Sequence, residues 1–138
     1  MPIDERWDRL SDDDWWKLAY NWLFQLRRGL QDGERDWGET VTMMNFTARP
    51  EQQWRFILAA IDHATSDAEL SHIAAGPLEH LLGWHGEIYI SEIEIHSANK
   101  PKLAKALTGV RKYMMSDDTW SRVQTIQQQA EPLELLGE

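Results

Sequence analysis

The chain has 138 residues, enough for one domain with a core and too few for two ordinary ones. Its net charge of −9, from 23 acidic and 14 basic side chains, opposes a phosphate backbone, so nucleic acid is not the expected partner. The absence of cysteine removes disulfides, thiol nucleophiles and thiolate metal sites together.

The opening stretch MPIDERWDRL is charged and carries no apolar signal core, and no apolar run reaches the length of a bilayer span. A cytoplasmic protein with no membrane partner is expected. The Asn45-Phe46-Thr47 sequon carries little weight in such a protein. Eight tryptophans argue against disorder. They are too many for one small interior. Five or six are expected to anchor the core and the rest to lie partly at the surface.

Ser11 followed by Asp12, Asp13 and Asp14 marks a helix start, because a hydroxyl cap and first-turn carboxylates both suit that end. Trp15, Leu18, Ala19, Trp22 and Leu26 continue at helical spacing, with Arg27 and Arg28 near the end and Gly29 or Gly33 to close it. Trp16 and Leu23 widen the apolar face, so this helix is expected to make contact on two sides. Residues 31–49 lack clear periodicity and read as a loop that tucks Trp37, Val41, Met43, Met44 and Phe46 onto the core.

Pro50 suits a first helical position, and Trp54, Ile57, Leu58 and Ile61 follow as a stripe. Ser66 and Glu69 form a capping box for the next helix, with Leu70, Ile73 and Ala74 on its face. Pro77 lacks a backbone donor and is expected to kink or restart that helix, which then runs to Gly83. Residues 86–98, GEIYISEIEIHSA, fit a strand or a helix. Helix is preferred because a lone strand would have no mate. Pro101 opens another helix, with Leu103, Leu107, Val110 and Met114 at helical spacing. Ser116, Asp117 and Asp118 open the last, which turns Trp120, Val123 and Ile126 inward. From Gln127 onward the chain reads as fraying. The sum is an all-α fold of about six helices, arranged as stacked hairpins or an irregular bundle. It forms a single domain over residues 1–130 with an acidic C-terminal tail over 131–138.

Ala74, Ala75, Gly76, Pro77, Leu78 and Glu79 form one motif. Leu81, Leu82, His85 and Gly86 form a second, and Leu107, Gly109 and Val110 a third. Together they resemble a family of small bacterial helical domains of unknown function, over Trp54 to Met114. Arg111 departs from that pattern, which has Trp at its position. The resemblance implies a helical fold and a bacterial source, and no activity.

His72, Glu79, His80 and His85 have the residue types of a metal site but not its spacing, since two ligating histidines belong one helical turn apart. No metal and no cofactor are expected. Glu79 has a plain use in the first turn after Pro77, and His80 or His85 can bond a carbonyl that the Gly-Pro break exposes. Asp32, Glu34, Asp36 and Glu39 have no helix start to serve on this reading, and they flank Trp37. With Trp16 nearby they make the expected partner-binding patch.

The leading expectation is therefore a non-enzymatic protein-binding module, of the bacterial immunity or antitoxin type, that occludes a basic partner surface such as a toxin's. Two alternatives stay open. One is a small helical enzyme using Glu79, His80 and His85. The other is a homo-oligomeric structural protein with its surplus tryptophans at a symmetric interface.

Overall fold

The computed structural model describes residues 2–134. Among them every regular element is helical, so the fold is all-α. The helices group into two compact units, Met1–Ala64 and Thr65–Glu138.

In the first unit, a short 3-10 turn (Glu5–Arg9) precedes α1 (Asp12–Arg28), α2 (Trp37–Thr47) and α3 (Pro50–His63). Ser11 caps α1 as its sequence requires: its hydroxyl accepts the Asp14 N–H at 3.2 Å, and the Asp14 carboxylate accepts the Ser11 N–H at 2.9 Å. Gly29 closes the helix at φ 84°, a left-handed conformation in which a side chain is strained. Trp15, Leu18, Ala19, Trp22 and Leu23 are buried, and α1 packs mainly on α3, with Trp22 tilted against Phe56 at 5.6 Å.

The N-terminal turn is pinned to this pair by polar contacts. Trp7 stacks on Trp15 and donates its indole N–H to Thr47 Oγ1 at 2.8 Å. Asp8 accepts a two-pronged Arg49 at 3.0 Å and the Gln52 amide at 2.7 Å. Of the eight tryptophans, Trp15, Trp22 and Trp54 are buried, Trp7, Trp37 and Trp120 are half-buried, and Trp16 and Trp84 are exposed.

In the second unit, α4 (Asp67–Ile73), a widened π turn (Ala74–Leu78) and α5 (Glu79–Asn99) form one continuous helical run. Then come α6 (Pro101–Leu107) and α7 (Asp117–Gln129). Ser66 caps α4 through the Glu69 N–H at 3.2 Å, but the box is incomplete. The Glu69 carboxylate bonds the backbone N–H of Thr65 at 3.0 Å instead, one residue further back. Pro77 does not break the run. The Glu79 N–H reaches back five residues to the Ala74 carbonyl, and the wide turn accommodates the proline ring and its missing donor.

Residues 87–98 are helical, inside α5. Nor do Gly83 and Gly86 end a helix. Both lie within α5, which bends at His85 (φ −136°, ψ 19°) and continues to Asn99. Conversely, α6 is shorter than its spacing predicts. Thr108 turns its hydroxyl onto the Lys105 carbonyl at 2.6 Å, and the Gln127 side-chain amide donates to the Leu107 and Val110 carbonyls at 2.8 and 3.0 Å. Val110 is still buried, but from a turn, while Met114 lies exposed at φ 50°.

Over residues 128–134 the chain is pinned rather than fraying. The Leu133 N–H bonds Thr108 Oγ1 at 3.0 Å and the Glu134 N–H bonds the Asp67 carboxylate at 2.8 Å. That bond, with the Lys105 ammonium, holds the Asp67 carboxyl below its usual range. Of the acidic tail expected over 131–138, residues 135–138 lie outside the described residues.

Candidate functional site

The segment from Asp32 to Glu39 is not a free acidic loop. Asp36 is the N-cap of α2, and its carboxylate accepts the Gly38 and Glu39 N–H groups at 2.9 and 3.3 Å. Glu34 accepts the Gln31 N–H at 2.8 Å and pairs with Arg28 at 2.5 Å. These contacts hold its carboxyl below the usual range, the Arg28 contact most strongly. Trp37 is half-buried and carries a cation on its face, the Arg35 guanidinium at 4.5 Å. The reading of 31–49 as a loop is corrected over Trp37–Thr47, which is the helix α2. Asp36 and Glu34 have structural uses, which leaves Asp32 and Glu39 as the exposed acids of the group. Glu39 also borders a cleft of about 430 Å³ floored by Trp7 and Met43.

Trp16 does not join that group. It lies against His63 at the end of α3, ring centroids 3.8 Å apart, while the 32–39 segment meets α1 at Gln25, nine residues further along the helix. At 1.5 Å per residue the separation is about 13 Å along the axis. Trp16 instead heads a ladder of exposed aromatics, Trp16, Tyr20 and Phe24, spaced by four residues on one face of α1. Tyr20 stacks on Phe24 at 5.8 Å, and the Arg28 guanidinium covers Phe24 at 5.2 Å.

Glu79, His80 and His85 are near one another in sequence, but their uses differ. Glu79 accepts the backbone N–H of Arg111 at 3.1 Å and so holds the loop after α6. His80 is half-buried beside Trp84, ring centroids 5.9 Å apart. Burial, and then the neighbouring His85, lower its pKa from the ordinary 6.5. Among the described residues, no three His, Asp or Glu side chains are gathered to hold a metal ion.

The His80 shift has a measurable consequence. Below pH 6.5 the folded chain binds fewer protons at this ring than the unfolded chain does. Stability from this group is therefore complete above 6.5 and is lost as pH falls through the lower folded value. His80→Gln is expected to flatten that limb, read as urea midpoints between about pH 5 and 8. An unchanged slope would assign the dependence to another group.

Among the described residues of the second unit, the most exposed large aliphatic side chains lie on α5. Ile88 and Ile95 are 72% and 63% exposed, two turns apart on one face. Trp84 and Met114 are exposed beside the kink, where a cleft of about 270 Å³ runs between α5 and the Met114–Ser116 loop. Past the bend, Ile90 and Ile93 are buried on the other face, so this part of α5 is apolar on both sides. An amphipathic helix on a core has one apolar face; a helix apolar all round is normally covered all round. The helix also carries four glutamates and no lysine or arginine. Glu94 is held by Arg122 and Glu79 by the Arg111 N–H, whereas Glu87 and Glu92 are exposed around the isoleucines.

The sequence signal for this surface was the surplus of isoleucine in 87–98, which made strand and helix hard to separate. It did not single out Ile88 and Ile95, because Ile90 and Ile93 are equally apolar and are the buried pair.

Fold and surface together define a small all-α protein with large apolar side chains exposed along α5. The chain belongs to a family of unknown function, DUF6869, whose model matches residues 27–131. That stretch spans α2 to α7 and includes the motifs from Ala74 to Val110. Neither curated proteins nor solved structures give a match to this chain. No helix among the described residues is long and apolar enough to cross a membrane.

Proposed function

We propose that this is a non-enzymatic protein-binding module, and that its binding surface is the outward face of α5 with the adjoining Met114 loop. One observation carries the reading: Ile88 and Ile95 stand largely in solvent on a helix that has four glutamates and no lysine or arginine. Isolated exposed hydrophobes are ordinary, but aligned large ones mark contact sites. The partner is a protein with a basic, partly apolar surface. Trp84, Ile88, Ile95 and Met114 bury against it, and Glu87 and Glu92 steer it in. With a net charge of −9 the whole chain adds to that attraction.

In its finer form the protein is a cytoplasmic bacterial inhibitor of the immunity or antitoxin type. It works by covering a basic cleft of a toxin or effector. The mechanism is occlusion, with charge setting the on-rate and the buried apolar anchors setting the residence time.

The test is co-purification from the host with wild-type protein and with Ile88→Glu/Ile95→Glu. Wild type is expected to retain a basic protein whose own activity falls as the complex forms. Binding is expected to weaken as salt rises, and the variant is expected to lose the partner while keeping its helical circular dichroism. A partner that stays on the variant, or a recovered partner that is acidic, refutes the assignment.

A further inference from the structure

The exposed ladder on α1 is independent of the α5 surface and points to a different occupant. Along one face the helix presents Asp13, then Trp16, Tyr20 and Phe24, then Arg27. Acid stands at the amino end, aromatics in the middle and base at the carboxyl end. Asp13 pairs with Lys17 at 2.9 Å, and Arg27 donates to the His63 carbonyl at 3.1 Å, yet both remain exposed.

Such a stripe is complementary to itself when reversed. In a two-fold pair every contact occurs twice, so the face must match its own inverted copy. Tyr20 is the midpoint of this one. Asp13 and Arg27 lie seven residues to either side of it, and Trp16 and Phe24 lie four. Two copies of α1 packed antiparallel about Tyr20 would set each Asp13 opposite an Arg27 and each Trp16 opposite a Phe24. Reversal also opposes the two helix dipoles, which favours the arrangement. A parallel pair would face acid with acid and base with base.

We infer that the α1 face is a homodimer contact, in which two copies of this chain pair α1 against α1 antiparallel, centred on Tyr20. Aromatic anchors carry the affinity and the Asp13–Arg27 pairs fix the direction.

Sedimentation equilibrium of the purified full chain tests this. Wild type is expected to move from 16.1 kDa toward twice that mass as concentration rises. Tyr20→Glu sets two carboxylates against each other at the centre and is expected to keep the chain monomeric, with helical content unchanged because Tyr20 is exposed. Asp13→Arg alone and Arg27→Asp alone are each expected to weaken the dimer, and the two together to restore it. That restoration is a signature only the antiparallel register gives. A wild type that stays at 16.1 kDa at every concentration overturns the inference and leaves the ladder to some other protein. So does a dimer that survives Tyr20→Glu, or a double exchange that does not recover association. None of these results bears on the α5 surface.

Discussion

Gln25→Leu is expected to unfasten the start of α2 and to lower the stability of the first unit by about 2–6 kcal/mol, because it strips two backbone groups of their partners at about 1–3 kcal/mol each. Gln25 is 7% exposed, an unusual place for a polar side chain, and it is fully used there. Its amide donates to the Arg35 carbonyl at 2.8 Å and to Glu34 at 3.3 Å, and its oxygen accepts the Trp37 N–H at 2.8 Å. The Trp37 N–H belongs to the first turn of α2, where no helical carbonyl is available to take it. Leucine fills similar space without the amide, so the loss reads on hydrogen bonding rather than on a cavity. Amide exchange should speed up over residues 36–40 while the centre of α3 keeps its protection. Gln25→Glu makes a sharper companion. A carboxylate can still accept from Trp37 but cannot donate to Arg35, and it stands beside Glu34. This variant should be impaired at neutral pH and recover as acid protonates it. Wild-type melting and unchanged exchange in Gln25→Leu would remove the residue from this role.

The same residue explains why helix starts were legible in the sequence while ends and connections were not. A start is written locally. Ser11, Ser66 and Ser116 accept N–H groups three residues on, and Pro50 and Pro101 stand at first helical positions. Closures come from far away. Gln127 takes the carbonyl of Leu107, the last residue of α6, and that of Val110 in the turn beyond it, from 20 and 17 residues downstream, and Glu79 holds the Arg111 N–H from 32 residues upstream. No window of sequence contains both partners. Hence the helical spacing runs on through Val110 and Met114, past the point where Thr108 and Gln127 stop the helix.

The α2 helix was missed for a different reason. Gly38, Thr40, Val41 and Thr42 all disfavour helix, and its start signal, Asp36, stood among other acids that resembled a charged patch. Tertiary contacts overrode that propensity: Val41 and Met44 are buried, and Gln25 secures the entry.

The surface was legible in kind but not in place. Acidity and surplus tryptophan both pointed toward a partner, and the acids around Trp37 were the natural choice while they had no structural use. Once Asp36 caps a helix and Glu34 closes a turn, the argument for a free acidic rim weakens there. It is stronger on α5, where exposed isoleucines stand among glutamates with no lysine or arginine on the helix. Which isoleucines face outward depends on where α6 and α7 pack, and that is written nowhere in residues 87–98.

Gly86→Ala is expected to destabilise the second unit by about 1–3 kcal/mol, the usual cost of overpacking, although glycine to alanine inside a helix ordinarily gains up to about 1 kcal/mol. The reversal comes from α7. A Cβ on Gly86 would stand 2.8 Å from Thr119 Cγ2, well inside contact distance. Thr119 is buried and cannot readily swing away. Its N–H bonds Ser116 Oγ at 3.1 Å and its hydroxyl accepts from the same oxygen at 3.0 Å, so rotating it disturbs the cap of α7. Thr119→Ser removes the obstructing methyl and keeps the hydroxyl. Gly86→Ala in that background should therefore recover most of the loss, and the double-mutant cycle should show strong coupling between the two positions. The glycine next to the His85 bend then acts as a seat for α7, which in turn fixes the loop carrying Met114 beside Ile88. Chemical denaturation of the four proteins decides it. A Gly86→Ala variant more stable than wild type, or a loss that Thr119→Ser leaves untouched, would mean that α7 yields at this contact and that some other feature sets the position of the Met114 loop.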